Sequence, residues 1–384
     1  MPPVVLHIIP AIGQGGAERL LSDIVARAGR RAEHRILTLT DMPAFFPYPG
    51  AAISSLGMRR GRVSPWALAQ AARAVRAARP AVIHAWLYHG NLLASLLPRG
   101  GAPLIWSIHN TTLPPAVSGL TRAVNRAGAL LSGRSPWRIV YCAPEARQLH
   151  EGLGYAHGPG LVLENGVDFS AFAFSVRARE RQRAAWGLED GILAIGCASR
   201  FDPQKDHAGL ARAFALLDRP DARLVLAGAG CTADNPALMS ALVDAGVAGR
   251  TLPLGPVDDM PAFHAAIDVL AIGSAFGEAL PMVGLEAVAA GLPIAGTRLG
   301  AIPNLVLDPA HLARPGSADS LARALRAAAE TYGPNRPAPA ALARLERLRA
   351  RYDIGAVADA YHTLYEECKT ACKPFQIPGV NSVQ

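Results

Sequence analysis

Two carboxylates, Glu278 and Glu286, stand with seven residues between them in the stretch Gly-Glu-Ala-Leu-Pro-Met-Val-Gly-Leu-Glu-Ala-Val-Ala-Ala-Gly-Leu-Pro, residues 277–293. Just upstream, Asp-Val-Leu-Ala-Ile (268–272) reads as a buried strand. Pro281 suits the first turn of a helix, and Gly291 with Pro293 beyond it suits the end of one. The spacing predicts Glu278 on a strand-to-helix loop and Glu286 inside the helix that follows. Free N–H groups at a helix start hold anions or sugar hydroxyls, so the stretch points to a polar, anionic ligand.

Other residues of the same character follow predicted strands. Arg200 and Lys205, in Ala-Ser-Arg-Phe-Asp-Pro-Gln-Lys-Asp-His (198–207), suit a diphosphate, one as a planar fork and the other as a point charge. Surface pairing with nearby Asp202 and Asp206 is the competing reading. The loop Gly13-Gln-Gly-Gly-Ala-Glu-Arg19 would let backbone N–H groups approach a phosphate or sugar, or would simply make a tight strand–helix turn. It lacks the third glycine of a dinucleotide fingerprint, where Glu18 stands, and the Lys-Ser/Thr of a Walker loop. His109, in Trp-Ser-Ile-His-Asn (106–110), ends a strand and is expected to point into a cleft. His84 and His89 read as similarly placed, and spacing does not rank them.

Composition bounds the rest. At 384 residues and 51% hydrophobic content, the chain can form two domains with their own cores. No run of 18 uncharged apolar residues is present, and the apolar start lacks a basic segment and a cleavage site. A cytoplasmic protein is expected, with a peripheral position at the inner face of the cell membrane as an extension. Five scattered cysteines, 142, 197, 231, 368 and 372, suit reduced thiols; Cys368 and Cys372 would share a helix face. No metal-ligand pattern stands out. The net charge of +8 is uneven: residues 1–160 carry +11 and residues 161–384 carry −3. Arg59, Arg60 and Arg62 cluster, and Arg73, Arg76 and Arg79 form a stripe on a predicted helix, 65–79. Such a face suits anionic lipid or a phosphate-bearing acceptor, and equally a solvated helix surface. Nucleic acid is not expected as a partner, because no aromatic and basic platform accompanies the charge.

The elements that must position these residues alternate strand and helix. Strands are predicted at 4–9, 35–40, 82–86, 104–108 and 139–142. After the polar segment 175–190 a second series begins, at 192–197, 223–227, 251–254, 269–272 and 293–295. Two parallel, doubly wound α/β sheets facing across a cleft follow from this pattern, with ligands at the carboxyl ends of the strands. The expected division is a first domain at 1–174 and a second at 175–353. A C-terminal helix, 354–373, would return to the first, and a tail, 374–384, would be loose.

Taken in order, the Gly-Gly-Ala-Glu loop (15–18), His109, Asn-Gly-Val-Asp (165–168), Arg200 with Lys205, and the Glu278/Glu286 pair resemble glycosyltransferase family 4. These are retaining nucleotide-sugar transferases with two Rossmann-like domains, the GT-B architecture. The stretch His-Ala-Trp-Leu-Tyr-His-Gly-Asn-Leu (84–92) looks like bacterial members that build surface polysaccharides. The resemblance implies an acceptor-binding first domain and a donor-binding second one. It implies that Arg200 and Lys205 hold the donor diphosphate, standing in for Mg2+, with no metal and no cofactor. It places Glu278 near the transferred hexose, the backbone of Ala279, Leu280, Pro281, Met282 and Val283 on sugar and phosphate oxygens, and Glu286 on the ribose. Gly15 and Gly16 would bring the first domain against the donor, and His109 would contact the sugar. The implied partners are a UDP- or GDP-sugar and a lipid-linked or growing glycan. Gly300-Ala-Ile-Pro-Asn304 departs from the family's Gly-Gly-x-x-Glu, and the tail has no counterpart. Two other readings stand beside this one. The first is a catalytically silent relative that binds nucleotide or glycan or scaffolds a synthesis complex. The second is a phosphorylase or epimerase on the same architecture, against which the absence of a lysine in an apolar strand of the second half counts.

Overall fold

The computed structural model describes residues 2–59, 65–111, 119–331 and 339–371. Arg60, Arg62, Cys372 and the tail 374–384 lie outside the described residues.

The first half runs β1 (Val4–Ile9), α1 (Gly16–Ala26), β2 (Glu33–Thr38), β3 (Ala52–Ser55), α2 (Pro65–Ala78), β4 (Val82–Trp86) and α3 (Leu87–Leu96). It continues through β5 (Leu104–Ile108), α4 (Gly119–Leu131), β6 (Arg138–Tyr141), α5 (Pro144–Gly152) and β7 (Gly160–Val162). All seven strands are parallel, in the order β3-β2-β1-β4-β5-β6-β7. The inner strands β4 and β5 are buried at every residue, as parallel strands covered on both faces must be. In β4, Val82, His84 and Trp86 share one face and Ile83 and Ala85 the other.

The second half opens with α6 (Val176–Ala185), β8 (Leu193–Ala198), α7 (His207–Leu216), β9 (Ala222–Ala227), α8 (Pro236–Asp244), β10 (Thr251–Gly255) and α9 (Met260–Ala266). Then follow β11 (Val269–Ile272), α10 (Met282–Ala289), β12 (Ile294–Thr297), α11 (Ile302–Leu305), β13 (Leu312–Ala313), α12 (Ala318–Glu330), α13 (Pro339–Tyr352) and α14 (Ile354–Ala371). Six parallel strands stand in the order β10-β9-β8-β11-β12-β13. The polar segment before β8 is largely helical: α6 turns Arg183 inward, where it donates to the carbonyls of Ala266, Glu189 and Ile192 and pairs with buried Asp268.

Each sheet has one point where the strand order reverses, between β1 and β4 in the first and between β8 and β11 in the second. Loops leaving the carboxyl ends of such neighbours diverge to opposite faces and open a crevice. The chain passes from one half to the other at Asn165-Gly-Val-Asp168 and returns at 352–354. These two segments run side by side: Val167 N–H donates to the Tyr352 carbonyl at 2.8 Å, and Ile354 N–H to the Val167 carbonyl at 3.1 Å. A side chain at Gly166 would meet the Ile354 backbone at 2.8 Å, so glycine permits that approach. Helix α14 then packs on α1 and β4, with Tyr361 and Tyr365 buried against the first sheet. Among the described residues no helix is long and apolar enough to cross a membrane.

Candidate active site

Loops at the reversal point of the second sheet bring together residues far apart in the chain. Lys205 ends a short 3-10 turn after β8, and Glu278 lies on the loop after β11. The Lys205 ammonium donates to Glu278 Oε1, and Ser274 Oγ donates to the same oxygen at 2.6 Å. Ser274 is itself held by Thr297, whose Oγ1 donates to the Ser274 carbonyl at 2.8 Å. Glu278 is 5% exposed, so the pair is that of a buried carboxylate with a mostly covered ammonium. Arg200, earlier on the β8 loop, remains more than half exposed, and its ion pair among the described residues is a 3.4 Å contact with Asp202. Asp206 does not pair with either cation; its carboxylate caps α7, accepting from Gly209 N–H at 2.9 Å. Arg200 thus pairs with Asp202 on the surface, while Lys205 pairs with neither aspartate and turns to Glu278.

The loop from Glu278 into α10 is fastened by its carbonyls. Thr111 Oγ1 donates to the Glu278 carbonyl, Ala301 N–H to that of Ala279 at 2.7 Å, and Asn165 Nδ2 to that of Leu280 at 3.2 Å. Three consecutive carbonyls are thus engaged. Among the described residues, the N–H groups of Ala279, Met282 and Val283 have no protein acceptor. Pro281 caps α10 and offers no N–H. Gly300 is in the left-handed region at φ +48°, and a side chain there would lie 2.2 Å from the Glu278 carbonyl oxygen. Glycine there lets the two segments seat against each other. Within α10, Glu286 is buried and accepts from His264 Nε2 at 3.2 Å.

Thr111 and Asn165 belong to the first half, so the two halves already touch across the crevice. Gly16, at the start of α1, sits so close that a side chain on it would meet Met282 Cγ at 3.2 Å. Glu18 in the same turn is pushed up in pKa by burial, and the Arg200 guanidinium across the crevice opposes that shift. His109 follows β5 and stacks on Trp86, with ring centroids 5.5 Å apart and planes 14° from parallel. Among the described residues neither of its buried ring nitrogens has a hydrogen-bond partner of good geometry, and burial lowers its pKa to about 4, with the Asn165 amide opposing. His109 is therefore a neutral imidazole near pH 7.

His84 is not at the crevice. It is fully buried, with Nδ1 2.8 Å from the Tyr365 hydroxyl on α14 and Nε2 2.7 Å from Ser107 Oγ, because its place in β4 turns it toward α14. His89 lies in the first turn of α3, half-buried. Sequence reasoning passed over Ser274, Thr111, His264 and the seat formed by Gly300. A Ser four residues before Glu278 was the one local signal available.

Two family models match the chain in tandem, Glycosyltransferase Family 4 over residues 14–171 and Glycosyl transferases group 1 over residues 193–331. The chain belongs to the group 1, family 4 glycosyltransferases. A relative from Mycolicibacterium smegmatis, a GDP-mannose-dependent alpha-(1-6)-phosphatidylinositol monomannoside mannosyltransferase, is 33% identical over 236 residues, 56% of this chain and 58% of that protein. The D-inositol 3-phosphate glycosyltransferase of Corynebacterium jeikeium is 30% identical over 254 residues, 61% of this chain and 58% of that one. The chain thus spans somewhat over half the length of these curated relatives. Among solved structures, Anabaena HepE in complex with UDP and glucose superposes with a TM-score of 0.81 at 20% identity, over 95% of this chain and 100% of HepE. WaaG, a glycosyltransferase involved in lipopolysaccharide biosynthesis, superposes with a TM-score of 0.70 at 15% identity, over 94% of this chain and 99% of WaaG. These likenesses establish the GT-B fold of the family member: two parallel α/β sheets with helices between their strands.

Proposed function

We propose that the chain is a retaining hexosyltransferase that moves a sugar from a UDP- or GDP-linked donor to a lipid-linked or growing glycan acceptor. The observation that carries the reading is the meeting of Lys205 with Glu278 at the reversal point of the second sheet, with Arg200 exposed on the same β8 loop. In this reading the donor diphosphate takes Lys205 and Arg200, and a sugar hydroxyl takes the Glu278 carboxylate. Breaking the sugar–phosphate bond leaves charge on the diphosphate, and two preorganised cations lower that barrier. The acceptor attacks on the leaving-group face, and a phosphate oxygen takes its proton, so no glycosidase-like pair of carboxylates is needed. Glu278 is therefore not a nucleophile. Ser274 fixes its carboxylate, the free N–H groups of Ala279, Met282 and Val283 receive sugar and phosphate oxygens, and Glu286 receives the ribose with His264 behind it. Neutral His109 contacts the sugar from the acceptor-binding half, residues 1–174. Closure through Thr111 and Asn165 keeps water from the donor.

The names of the relatives support a nucleotide-sugar donor: one is GDP-mannose-dependent, and HepE was solved with UDP and glucose. A lipid-linked acceptor places the protein at the inner face of the cell membrane, with Arg73, Arg76 and Arg79 exposed on one side of α2 and its end. The test is a thermal-shift screen with UDP, GDP, ADP, CMP and dTDP and with UDP- and GDP-sugars, repeated on Arg200→Ala. A ligand that binds only the folded state raises its melting temperature. The expected result is a shift with one nucleotide, and an affinity about tenfold to a hundredfold weaker in the variant. A well-folded sample that responds to none of them refutes the reading.

A further inference from the structure

Helices α9 and α10 flank β11 in the chain, and the fold brings one buried side chain from each together. His264, in the last turn of α9, is fully buried, and Glu286, in the second turn of α10, is nearly so. His264 Nε2 lies 3.2 Å from Glu286 Oε2. A carboxylate oxygen only accepts, so the imidazole N–H is the donor. Two aromatic rings hold the imidazole from its sides. Phe263 stands 5.6 Å away at 84°, and Phe172, just past the crossover from the first half, 5.7 Å away at 71°. Among the described residues Glu286 pairs with His264 and with no lysine or arginine. A fixed ring, not a flexible cationic chain, therefore orients this carboxylate.

Glu286 stands four residues after Met282, one turn further along the same side of α10 and about 6 Å from the N–H groups at its start. In the reading above those N–H groups receive sugar and phosphate oxygens, and a ribose attached to such a phosphate falls within reach of the next turn. The Glu286 side chain keeps 11% of its surface open while His264 keeps none, so a ligand meets the carboxylate and not the ring. Each carboxylate oxygen has two lone pairs, which leaves Oε2 one and Oε1 both for the 2′- and 3′-hydroxyls. The terminal torsion of a glutamate is broad, so an unheld carboxylate turns to whichever hydroxyl is present. One pinned at Oε2 is set for the pair.

We propose that His264 is a positioning residue that pins the Glu286 carboxylate to accept both ribose hydroxyls at once, and so restricts the donor to ribonucleotides. Deoxyribose carriers such as dTDP-sugars are excluded. The inference rests on the donor-site reading above, which puts the ribose at Glu286, and adds the choice of ribose over deoxyribose and the residue that makes it. His264 touches no substrate and acts through Glu286.

The experiment is a calorimetric titration of the full chain, His264→Phe and His264→Gln, each checked for folding by its melting. The probes are UDP and GDP, their 2′-deoxy and 3′-deoxy counterparts, and dTDP. Phenylalanine keeps a ring between Phe172 and Phe263 and removes the donor, whereas the glutamine amide restores an N–H close to the Nε2 position. In the wild type each missing hydroxyl should weaken binding about tenfold to a hundredfold, the loss of a hydrogen bond to a charged group. In His264→Phe the preference for ribose over 2′-deoxyribose should fall to about two- to threefold, and His264→Gln should recover most of it. A merely structural pair would weaken ribose and deoxyribose forms alike. An unchanged preference in His264→Phe therefore overturns the proposal, as does a folded His264→Gln that behaves like it. Should His264→Phe unfold the chain, the wild type decides: a penalty for one deoxy isomer alone marks a carboxylate that swivels, and overturns the pinning. Binding of dTDP as tight as that of UDP overturns the selection. A wild type that binds no nucleotide removes the donor-site reading and this inference with it, whereas nucleotide binding with an unaltered preference removes this inference alone.

Discussion

Replacing Lys205 with Ala strands a carboxylate. Glu278 is 5% exposed, its side chain is close to buried, and Lys205 itself is mostly covered. Removing one partner of a buried ion pair costs about 3–5 kcal/mol, chiefly for the charge left behind. Ser274 continues to donate to Oε1 and the space vacated by the lysine is partly open to water, so the lower end, about 3 kcal/mol, is expected. For a unit of about 150–250 residues that is a fall in Tm of about 6–12 °C. Glu278→Gln removes the charge and keeps an acceptor for Ser274 and Lys205, so its cost should be under about 1 kcal/mol. The double variant Lys205→Ala/Glu278→Gln should then regain about 2 kcal/mol over Lys205→Ala, a coupling that only a contacting pair produces. Binding reads the same pair differently. Lys205→Ala should weaken UDP or GDP about tenfold to a hundredfold. Glu278→Gln should leave nucleotide affinity equal or tighter, because the ammonium no longer answers to a carboxylate, while transfer falls. The assays are calorimetric melting, nucleotide titration and turnover on the four proteins of the cycle. Identical melting of Lys205→Ala and the double variant, with unchanged nucleotide affinity in both, would show that the ion pair is not what holds this site.

Two further outcomes test the surroundings. Gly300→Ala places a side chain at φ +48° and 2.2 Å from the Glu278 carbonyl oxygen, so a loss of about 2–4 kcal/mol in denaturant unfolding is expected; a wild-type midpoint refutes the seat. Burial lowers His34 to about 4 and His7 well below its usual range, and both stay neutral in the folded chain at neutral pH. Between pH 6.5 and about 4 the unfolded chain binds more protons, so stability is complete above that window and falls as pH drops through it. His34 alone accounts for about 3 kcal/mol. His34→Asn should flatten the fall between pH 7 and 5, and an unaltered slope would sink this account.

The inner strands were legible because parallel strands covered on both faces read as unbroken apolar runs, as in β4 and β5. The edge strand β3 was not: all four of its residues are exposed, and it is a strand because β2 supplies its hydrogen bonds. Helix α6 read only as a polar segment, since the burial of Arg183 depends on carbonyls from α9 and on Asp268, more than eighty residues away. Local pattern carries what neighbours in the chain decide and is silent on what the fold assembles.

The same division explains the site. Glu278 on a loop and Glu286 in a helix follow from Pro281 and Gly291, which act within a few residues. The pairing of Lys205 with Glu278 follows from β8 lying beside β11, a matter of strand order that no spacing along the chain encodes. His84 and His109 make the point within a single residue type. His84 shares a strand face with Trp86, two positions on, and that parity already turned it toward the helix covering that face. His109 falls just past the end of β5, where alternation no longer holds, and only the approach of Asn165 and Trp86 defines its surroundings. A place inside a strand as against just past its end therefore separates a core histidine from a crevice histidine on local pattern, whereas the partners of the crevice histidine, Trp86 and Asn165, are brought to it only by the fold.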